Sequence, residues 1–175
     1  MKTNESNNLI IRYGILILLS LANLAIFYAI FTPLTIYPVL GILKLFGEAS
    51  LIPTTPTILF NTLRIEIIEA CIGGAAYYLL LILNLTTPMN IKKRMNSILF
   101  LFLSFLILNI LRITFFSLIF YNGYSYFDLA HKMIWYFGST IMVIIIWFVN
   151  IIAFRIKEVP IYTDVKNILS NITPN

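Results

Sequence analysis

The sequence predicts an all-α membrane protein, a bundle of about four transmembrane helices that forms one integral-membrane domain. Hydrophobic residues make up 60% of the 175 residues, charged residues make up only 11%, and the mean hydropathy is +0.93. This composition is too apolar for a soluble domain. Four apolar runs are also long enough for helices that cross a bilayer, and polar or proline-containing segments separate them.

The first span is predicted at residues 9–31, because this apolar run is too long for the core of a signal peptide and no small-residue cleavage site follows it. Pro33 is expected to end the helix. An extracytoplasmic connector is predicted at residues 33–66, where four prolines interrupt the chain. Within it, residues 36–46 predict an interfacial or re-entrant helix, and the remainder predicts a short extended pair.

Three more spans are predicted, at about residues 67–85, 97–120 and 133–154. Asn122-Gly123 indicates a turn after the third of these four spans. The polar tail at residues 158–175 is expected on the cytoplasmic side.

The distribution of basic residues predicts that both termini face the cytoplasm, since Lys and Arg near span ends concentrate on that side of a membrane. With the N-terminus inside, eight of them fall on the cytoplasmic side and four at or near the outer side. They form small groups and no continuous basic face, so a nucleic-acid partner is not expected. The eight are Lys2, Arg12, Lys92, Lys93, Arg94, Arg155, Lys157 and Lys166, and the four are Lys44, Arg64, Arg112 and Lys132.

This topology brings three polar residues from different spans to a similar depth. Cys71 is the only cysteine of the chain and His131 is its only histidine. At about 1.5 Å per helical residue, Cys71, Arg112 and His131 lie roughly 26, 22 and 36 Å from the cytoplasmic ends of their spans. In a hydrocarbon core about 30 Å thick, all three are therefore expected in the outer leaflet or at the outer interface.

The three residues together indicate nucleophilic catalysis by a thiol. A free thiol is mostly protonated at neutral pH, so a working nucleophile needs a base or a cation beside it. His131 would be the base, and Arg112 would stabilise the thiolate or the oxyanion of an attacked carbonyl. Asn109 would hold Arg112 or donate to the oxyanion, and Asp128 would orient His131. The glycines after Cys71 are expected to leave room for an extended substrate.

Simpler interpretations exist for each residue alone. Cys71 could be a small buried hydrophobe, His131 an interfacial side chain, and Arg112 a side chain that reaches outward to the interface. Glu69 fits an acid at a helix N-terminus better than a catalytic role. One cysteine and one histidine cannot form a zinc ligand set, so no metal and no cofactor is expected.

The residues resemble the catalytic signature of the exosortase and archaeosortase family. The matching segments are Glu69-Ala70-Cys71-Ile72-Gly73, then Asn109-Ile110-Leu111-Arg112-Ile113 in the next span, and then His131. The resemblance covers about residues 66–154 and is closest to a small, stand-alone member of the archaeal type. The family usually has a small hydroxylated residue where this chain has Ile72.

The resemblance implies a membrane-embedded cysteine protease or transpeptidase with its active site outside the cytoplasmic membrane. Its substrates would be surface proteins whose C-terminal sorting signal contains a short motif, an apolar span and a basic tail. The acyl group would pass to an acceptor such as a lipid, an amine or water. Two alternatives remain open: a non-enzymatic membrane subunit, such as a transporter component or assembly scaffold, and a lipid-modifying transferase.

Overall fold

The computed structural model describes residues 11, 14, 17, 18, 24–53, 55–123, 133 and 137–156. These residues form mostly helices, together with one small antiparallel sheet. The prediction of an all-α fold is therefore wrong within the connector. In chain order the elements are α1 (Ala25–Leu43), β1 (Ala49–Ile52), β2 (Thr57–Phe60), β3 (Leu63–Glu66), α2 (Glu69–Ile72), α3 (Gly74–Thr86), α4 (Ile91–Tyr121) and α5 (Ser139–Ala153).

Helix α1 continues through Pro33 and ends only at Leu43. The predictions that Pro33 ends the first span and that residues 36–46 form a separate helix are therefore wrong. Each proline removes one N–H donor from the helix, but α1 packs along its whole length against the core, and this packing supports the helix on both sides of the prolines. Its buried residues are Phe27, Phe31, Thr35, Ile36, Val39 and Leu43.

An aromatic cluster joins α1 to α3 and α4. The rings of Phe31 and Tyr77 stack with their centroids 3.6 Å apart, and Phe102 meets Tyr77 edge-on at 5.5 Å. Phe105 also packs edge-on against Tyr77, at 4.7 Å. Such pairs contribute about 0.5–1.5 kcal/mol each beyond the burial of their area. The ring of Phe105 also lies against Gly73, 3.0 Å from its ideal Cβ, so the cluster supports the residues around Cys71.

The connector forms a three-stranded antiparallel sheet in the order β1-β2-β3. The prediction of an extended pair is confirmed, and β3 adds a third strand that was not expected. β2 lies in the centre, where Ile58 and Phe60 are fully buried. Asn61 turns the chain into β3 with a left-handed backbone, φ 50°, which asparagine adopts more readily than most residues. Phe60 packs edge-on against Tyr121 at the end of α4, so the sheet covers that end of the bundle.

The predicted span at 67–85 is divided into two helices. The single turn α2 ends at Ile72, and α3 begins at Gly74. Between them, Gly73 has φ 77°, a left-handed conformation that disfavours any residue with a Cβ. Cys71 therefore lies in a separate turn at the start of α3 and not inside a continuous helix.

Helices α1 and α4 are long and apolar enough to cross a membrane, with mean hydropathies of 1.9 and 2.4. α4 begins at Ile91, six residues earlier than predicted, because the side chain of Asn90 caps its first turn by accepting a hydrogen bond from the Lys93 N–H at 2.9 Å. The apolar helices α3 and α5 are shorter, at 13 and 15 residues. Four spans and the orientation of the chain remain predictions.

Three buried polar side chains join α3, α4 and α5 at the end of α3 that lies away from Cys71. Asn84 donates to the hydroxyl of Ser97 at 2.7 Å, and this hydroxyl donates to Oδ1 of Asn150 at 2.9 Å. Each of the three side chains is fully buried. Nearby, Arg94 donates to the carbonyls of Asn84 and Thr87 at 2.7 and 3.0 Å. These bonds add charged donors at the end of α3, where the carbonyl of Asn84 otherwise accepts a longer bond, 3.3 Å, from the N–H of Thr87.

Candidate active site

Cys71 is the third residue of the turn α2 and is partly buried as a free thiol. Its own N–H donates to the carbonyl of Ile68 at 2.8 Å, and the N–H of Gly73 donates to the carbonyl of Glu69 at 3.1 Å. These two bonds close the turn, so its own backbone positions the cysteine beside the first residues of α3.

The break at Gly73 leaves the carbonyls of Cys71 and Ile72 without their usual helical donors. In a continuous helix, the carbonyl of Ile72 would accept from the N–H of Ala76, but this N–H donates to Gly73 at 2.9 Å. Side chains of α4 replace the missing donors. Nδ2 of the fully buried Asn109 donates to the carbonyls of Cys71 and Ile72 at 2.8 and 3.2 Å. Asn109 thus holds α2, the turn that contains Cys71 and is called the cysteine turn below. This role differs from the two predicted for Asn109.

Arg112 lies one turn beyond Asn109 on α4 and contacts the same turn. Its Nη2 donates to the carbonyl of Cys71 at 3.3 Å, and its Nη1 donates to the hydroxyl of Ser139 at 2.5 Å. Within the described residues, both hydrogen-bond partners of this guanidinium are neutral oxygens. The positive charge is therefore not balanced by a carboxylate there, and a nearby cation favours the thiolate form of a cysteine.

The structure brings together Cys71, Arg112 and Asn109, three of the six residues singled out from the sequence. Glu69 is the first residue of α2 and is exposed, as expected for an acid at a helix start. His131 and Asp128 lie outside the described residues, so their predicted roles as base and orienting acid remain predictions.

The expectation that the glycines after Cys71 leave room for substrate is wrong at both positions. A Cβ added to Gly73 would come within 3.0 Å of the Phe105 ring. A Cβ added to Gly74 would come within 2.7 Å of the Tyr28 ring. Aromatic side chains from α1 and α4 therefore fill this space, and the glycines allow the helices to approach closely.

An open apolar groove of about 590 Å³ lies on the other side of Arg112, between α4 and α5. Arg112 is the one charged side chain among the described residues that line it. The guanidinium therefore lies at the boundary between the groove and the cysteine turn. The remaining lining residues are Leu108, Leu111, Phe115, Gly138, Ile141, Met142 and Ile145.

Ser139 is a site residue that the sequence reasoning missed. It is the first residue of α5 and bridges this helix to Arg112. A depth calculation could have identified it, because Ser139 lies roughly 24 Å from Arg155 at about 1.5 Å per residue, close to the value for Arg112. Depth alone does not show which way a serine faces, however.

No group of three or more His, Cys, Asp and Glu side chains in the described part of the chain is arranged to hold a metal ion. Comparisons with protein-family models, with curated proteins and with solved structures found no match.

Proposed function

We propose that this chain is a four-span membrane cysteine peptidase or transpeptidase of the exosortase and archaeosortase type. The observation that carries the proposal is the hydrogen bond from Arg112 to the carbonyl of Cys71. It joins the only cysteine to an arginine that follows it by 41 residues and comes from a different helix. An arginine at that depth in an apolar helix is costly unless it meets polar partners or a functional site.

The exposed surface supports a membrane-embedded bundle. Large apolar side chains are exposed along α4 and α5, and soluble proteins rarely expose such continuous apolar surfaces. Lipid would cover these side chains and so remove the free-energy cost of exposing apolar surface to water. Exposed examples are Leu99, Leu103, Ile107, Leu111 and Phe115 on α4, and Ile141, Ile144, Ile145, Phe148 and Ile152 on α5.

The positions of charged residues along α4 support an active site at the opposite face of the membrane from the basic cluster Lys92-Lys93-Arg94. Arg94 and Arg112 are 18 residues apart on this one helix, which corresponds to about 27 Å along its axis. This distance approaches the thickness of a hydrocarbon core, about 30 Å. If Arg94 and its basic neighbours lie at the cytoplasmic face, as the positive-inside rule predicts, Cys71 and Arg112 lie near the outer face.

In the proposed reaction, His131 removes the thiol proton and Sγ of Cys71 attacks the carbonyl carbon of the scissile peptide bond. Arg112 stabilises the negative charge on the carbonyl oxygen. The C–N bond then breaks, His131 gives its proton to the leaving amine, and the substrate remains attached to Cys71 as a thioester. Attack by an amine, a hydroxyl or water, with His131 accepting the proton, releases the acyl group and restores the thiol.

The groove beside Arg112 fits the class of substrate that the resemblance implies. Its walls are apolar and it is open between α4 and α5, so in the proposed topology an apolar segment would enter it from the membrane. A motif at the outer end of that segment would then lie close to Cys71. The basic tail of the sorting signal would lie at the opposite face, where the positive-inside rule also places it.

The proposal predicts loss of peptide processing in three variants. Membranes would be tested for cleavage of a co-expressed surface protein with an apolar C-terminal span and a basic tail, and for labelling by a peptide aldehyde. We expect Cys71→Ala to abolish both signals. Arg112→Gln and His131→Ala should each slow processing by about 10²-fold or more, because each removes a group that acts in the transition state.

Asn122→Ala is a suitable control, because Asn122 is exposed and, among the residues that the structure describes, its side chain bonds the carbonyl of Leu118 in the preceding helix. This variant should process at the normal rate. Normal processing by Cys71→Ser would contradict the proposal and would support a non-enzymatic membrane subunit instead.

A further inference from the structure

The guanidinium of Arg112 is held on one side by its contact with α5. Arginine has a long and flexible side chain, so its charge acts at a defined position only when other groups fix the planar end. The bond from Nη1 to the Ser139 hydroxyl, at 2.5 Å, is the shorter of its two bonds, and the bond to the Cys71 carbonyl is 3.3 Å. Among the described residues, the guanidinium is thus held between the Ser139 hydroxyl and the Cys71 carbonyl, with the closer contact to Ser139.

We propose that Ser139 is a positioning residue: it holds Arg112 beside Cys71 through a neutral hydroxyl, and so leaves the positive charge of Arg112 free to act on the thiolate and on the oxyanion. This inference rests on the proposed function, in which Arg112 stabilises negative charge at Cys71.

The neutrality of the hydroxyl is the important property of this contact. A carboxylate at position 139 would hold the guanidinium at least as firmly, through a charge-assisted bond. It would also balance the positive charge and so weaken the effect of Arg112 on Cys71. A purely structural contact would tolerate this change, whereas a contact that preserves the charge would not.

In the part of the chain that the structure describes, the elements packed most closely against the cysteine turn carry few other charged side chains. The turn packs against α1 and α4. α1 contains no charged residue, and its titratable side chains are Tyr28 and Tyr37. On α4, Arg112 is the charged residue at this end, because Lys92, Lys93 and Arg94 lie at the opposite end. The turn itself contributes Glu69. Beyond the described residues, the proposed base His131 and Asp128 would add to these groups.

The test measures the rate at which iodoacetamide alkylates Cys71 in the full-length protein, from about pH 6 to pH 10, since the thiolate is the form that reacts. Cys71 is the only cysteine, so the signal has one source. Arg112→Gln and four serine variants are compared with the wild type. The serine variants are Ser139→Thr, Ser139→Ala, Ser139→Asp and, as a matched control, Ser117→Ala. Ser117 lies buried on α4, and its hydroxyl donates to the carbonyl of Ile113 in its own helix, its one hydrogen bond within the described ranges.

We expect Ser139→Thr, which keeps a hydroxyl, and the control to react within about twofold of wild type. Ser139→Ala should react about threefold to tenfold more slowly at neutral pH, because the guanidinium loses its anchor. Ser139→Asp should react about tenfold more slowly, with the midpoint of its pH profile about one unit higher. If Ser139→Asp does not fold, the difference in alkylation rate between Ser139→Ala and Ser139→Thr decides whether the hydroxyl positions Arg112.

The outcomes separate this inference from the proposed function. Wild-type rates and pH profiles in Ser139→Ala and Ser139→Asp, together with slow alkylation in Arg112→Gln, would overturn the role of Ser139 alone. A wild-type profile in Arg112→Gln would overturn the role of Arg112 at Cys71, and the proposed mechanism with it.

Discussion

Gly73 is the residue on which the position of Cys71 depends most directly. Its left-handed backbone, φ 77°, separates the cysteine turn from α3. This break releases the two carbonyls that Asn109 and Arg112 then bind. Without it, α2 and α3 would form one regular helix, whose carbonyls would be occupied by its own N–H groups.

Replacing Gly73 by alanine should destabilise the protein by about 1–3 kcal/mol. About 1–2 kcal/mol would come from a Cβ in the left-handed region, and the remainder from contact with Phe105, 3.0 Å from the ideal Cβ. Thermal unfolding in detergent measures the effect. Gly41→Ala is the matched control, because Gly41 lies within α1 and, apart from the backbone of its own helix, no atom of the described residues lies within 4 Å of its ideal Cβ.

The control should be neutral or stabilise the protein by up to about 1 kcal/mol, since alanine favours helix. Equal stability of the Gly73 and Gly41 variants would contradict the importance assigned to the break. In a Phe105→Leu background, where the contact with the ring is removed, Gly73→Ala should cost only the part of the loss that comes from the left-handed backbone, about 1–2 kcal/mol.

At the scale of single residues, the sequence predicted that Cys71 and Arg112 lie together, but not how each side chain is oriented. The depths of Cys71 and Arg112 follow from helical rise and from the ends of apolar runs, and the structure places the two residues in contact. The direction of a side chain depends on how each helix is rotated, and apolar runs exposed on several sides carry little information on rotation. For this reason the bond of Asn109 to the cysteine turn and the contact of Ser139 with Arg112 were not predicted.

Among the elements, α3 is held at both ends by side chains of α4. Asn109 and Arg112 act at its start through the cysteine turn, and Arg94 and Ser97 act at its end. The basic cluster at residues 92–94 was interpreted as an orientation signal. Arg94 also has a structural role, because it binds carbonyls at the end of α3.

Substitution of Arg94 should therefore affect stability more than substitution of its basic neighbour. Arg94→Gln removes charge-assisted hydrogen bonds to the carbonyls of Asn84 and Thr87 and should cost about 1.5–3 kcal/mol. Lys92→Gln removes the same charge from an exposed side chain and should change stability by less than about 0.5 kcal/mol. Chemical or thermal unfolding in detergent distinguishes the two variants. Equal losses would show that Arg94 acts only through its charge.

The helices were easier to predict than the segment between them. Long apolar runs predicted α4 and α5, and they predicted α2 and α3 as one span; the start of α4 differs by six residues because Asn90 caps the helix earlier. The course of α1 through Pro33 and Pro38 depends on packing by distant residues, which a local reading of proline does not include. The third strand was missed because strands of four residues carry a weak pattern.

For the whole molecule, the proposed topology predicts labelling from opposite sides of the membrane. In intact cells, a membrane-impermeant maleimide should label Cys71 from outside. In a Cys71→Ser background, Lys92→Cys should be labelled only by a permeant maleimide, because position 92 is expected at the cytoplasmic face. The proposed orientation would be reversed if the impermeant reagent labelled Lys92→Cys and did not label Cys71 in the wild-type protein.

The bonds among Asn84, Ser97 and Asn150 also constrain how the helices slide past one another. Apolar helix surfaces in lipid are chemically alike, so shifting one helix by a turn would exchange one set of apolar contacts for another at little cost. Such a shift would separate these polar side chains and leave them unpaired in an apolar environment. The trio therefore selects one register for α3, α4 and α5. At the far end of the same helices, that register sets whether Arg112 and Ser139 reach the height of Cys71.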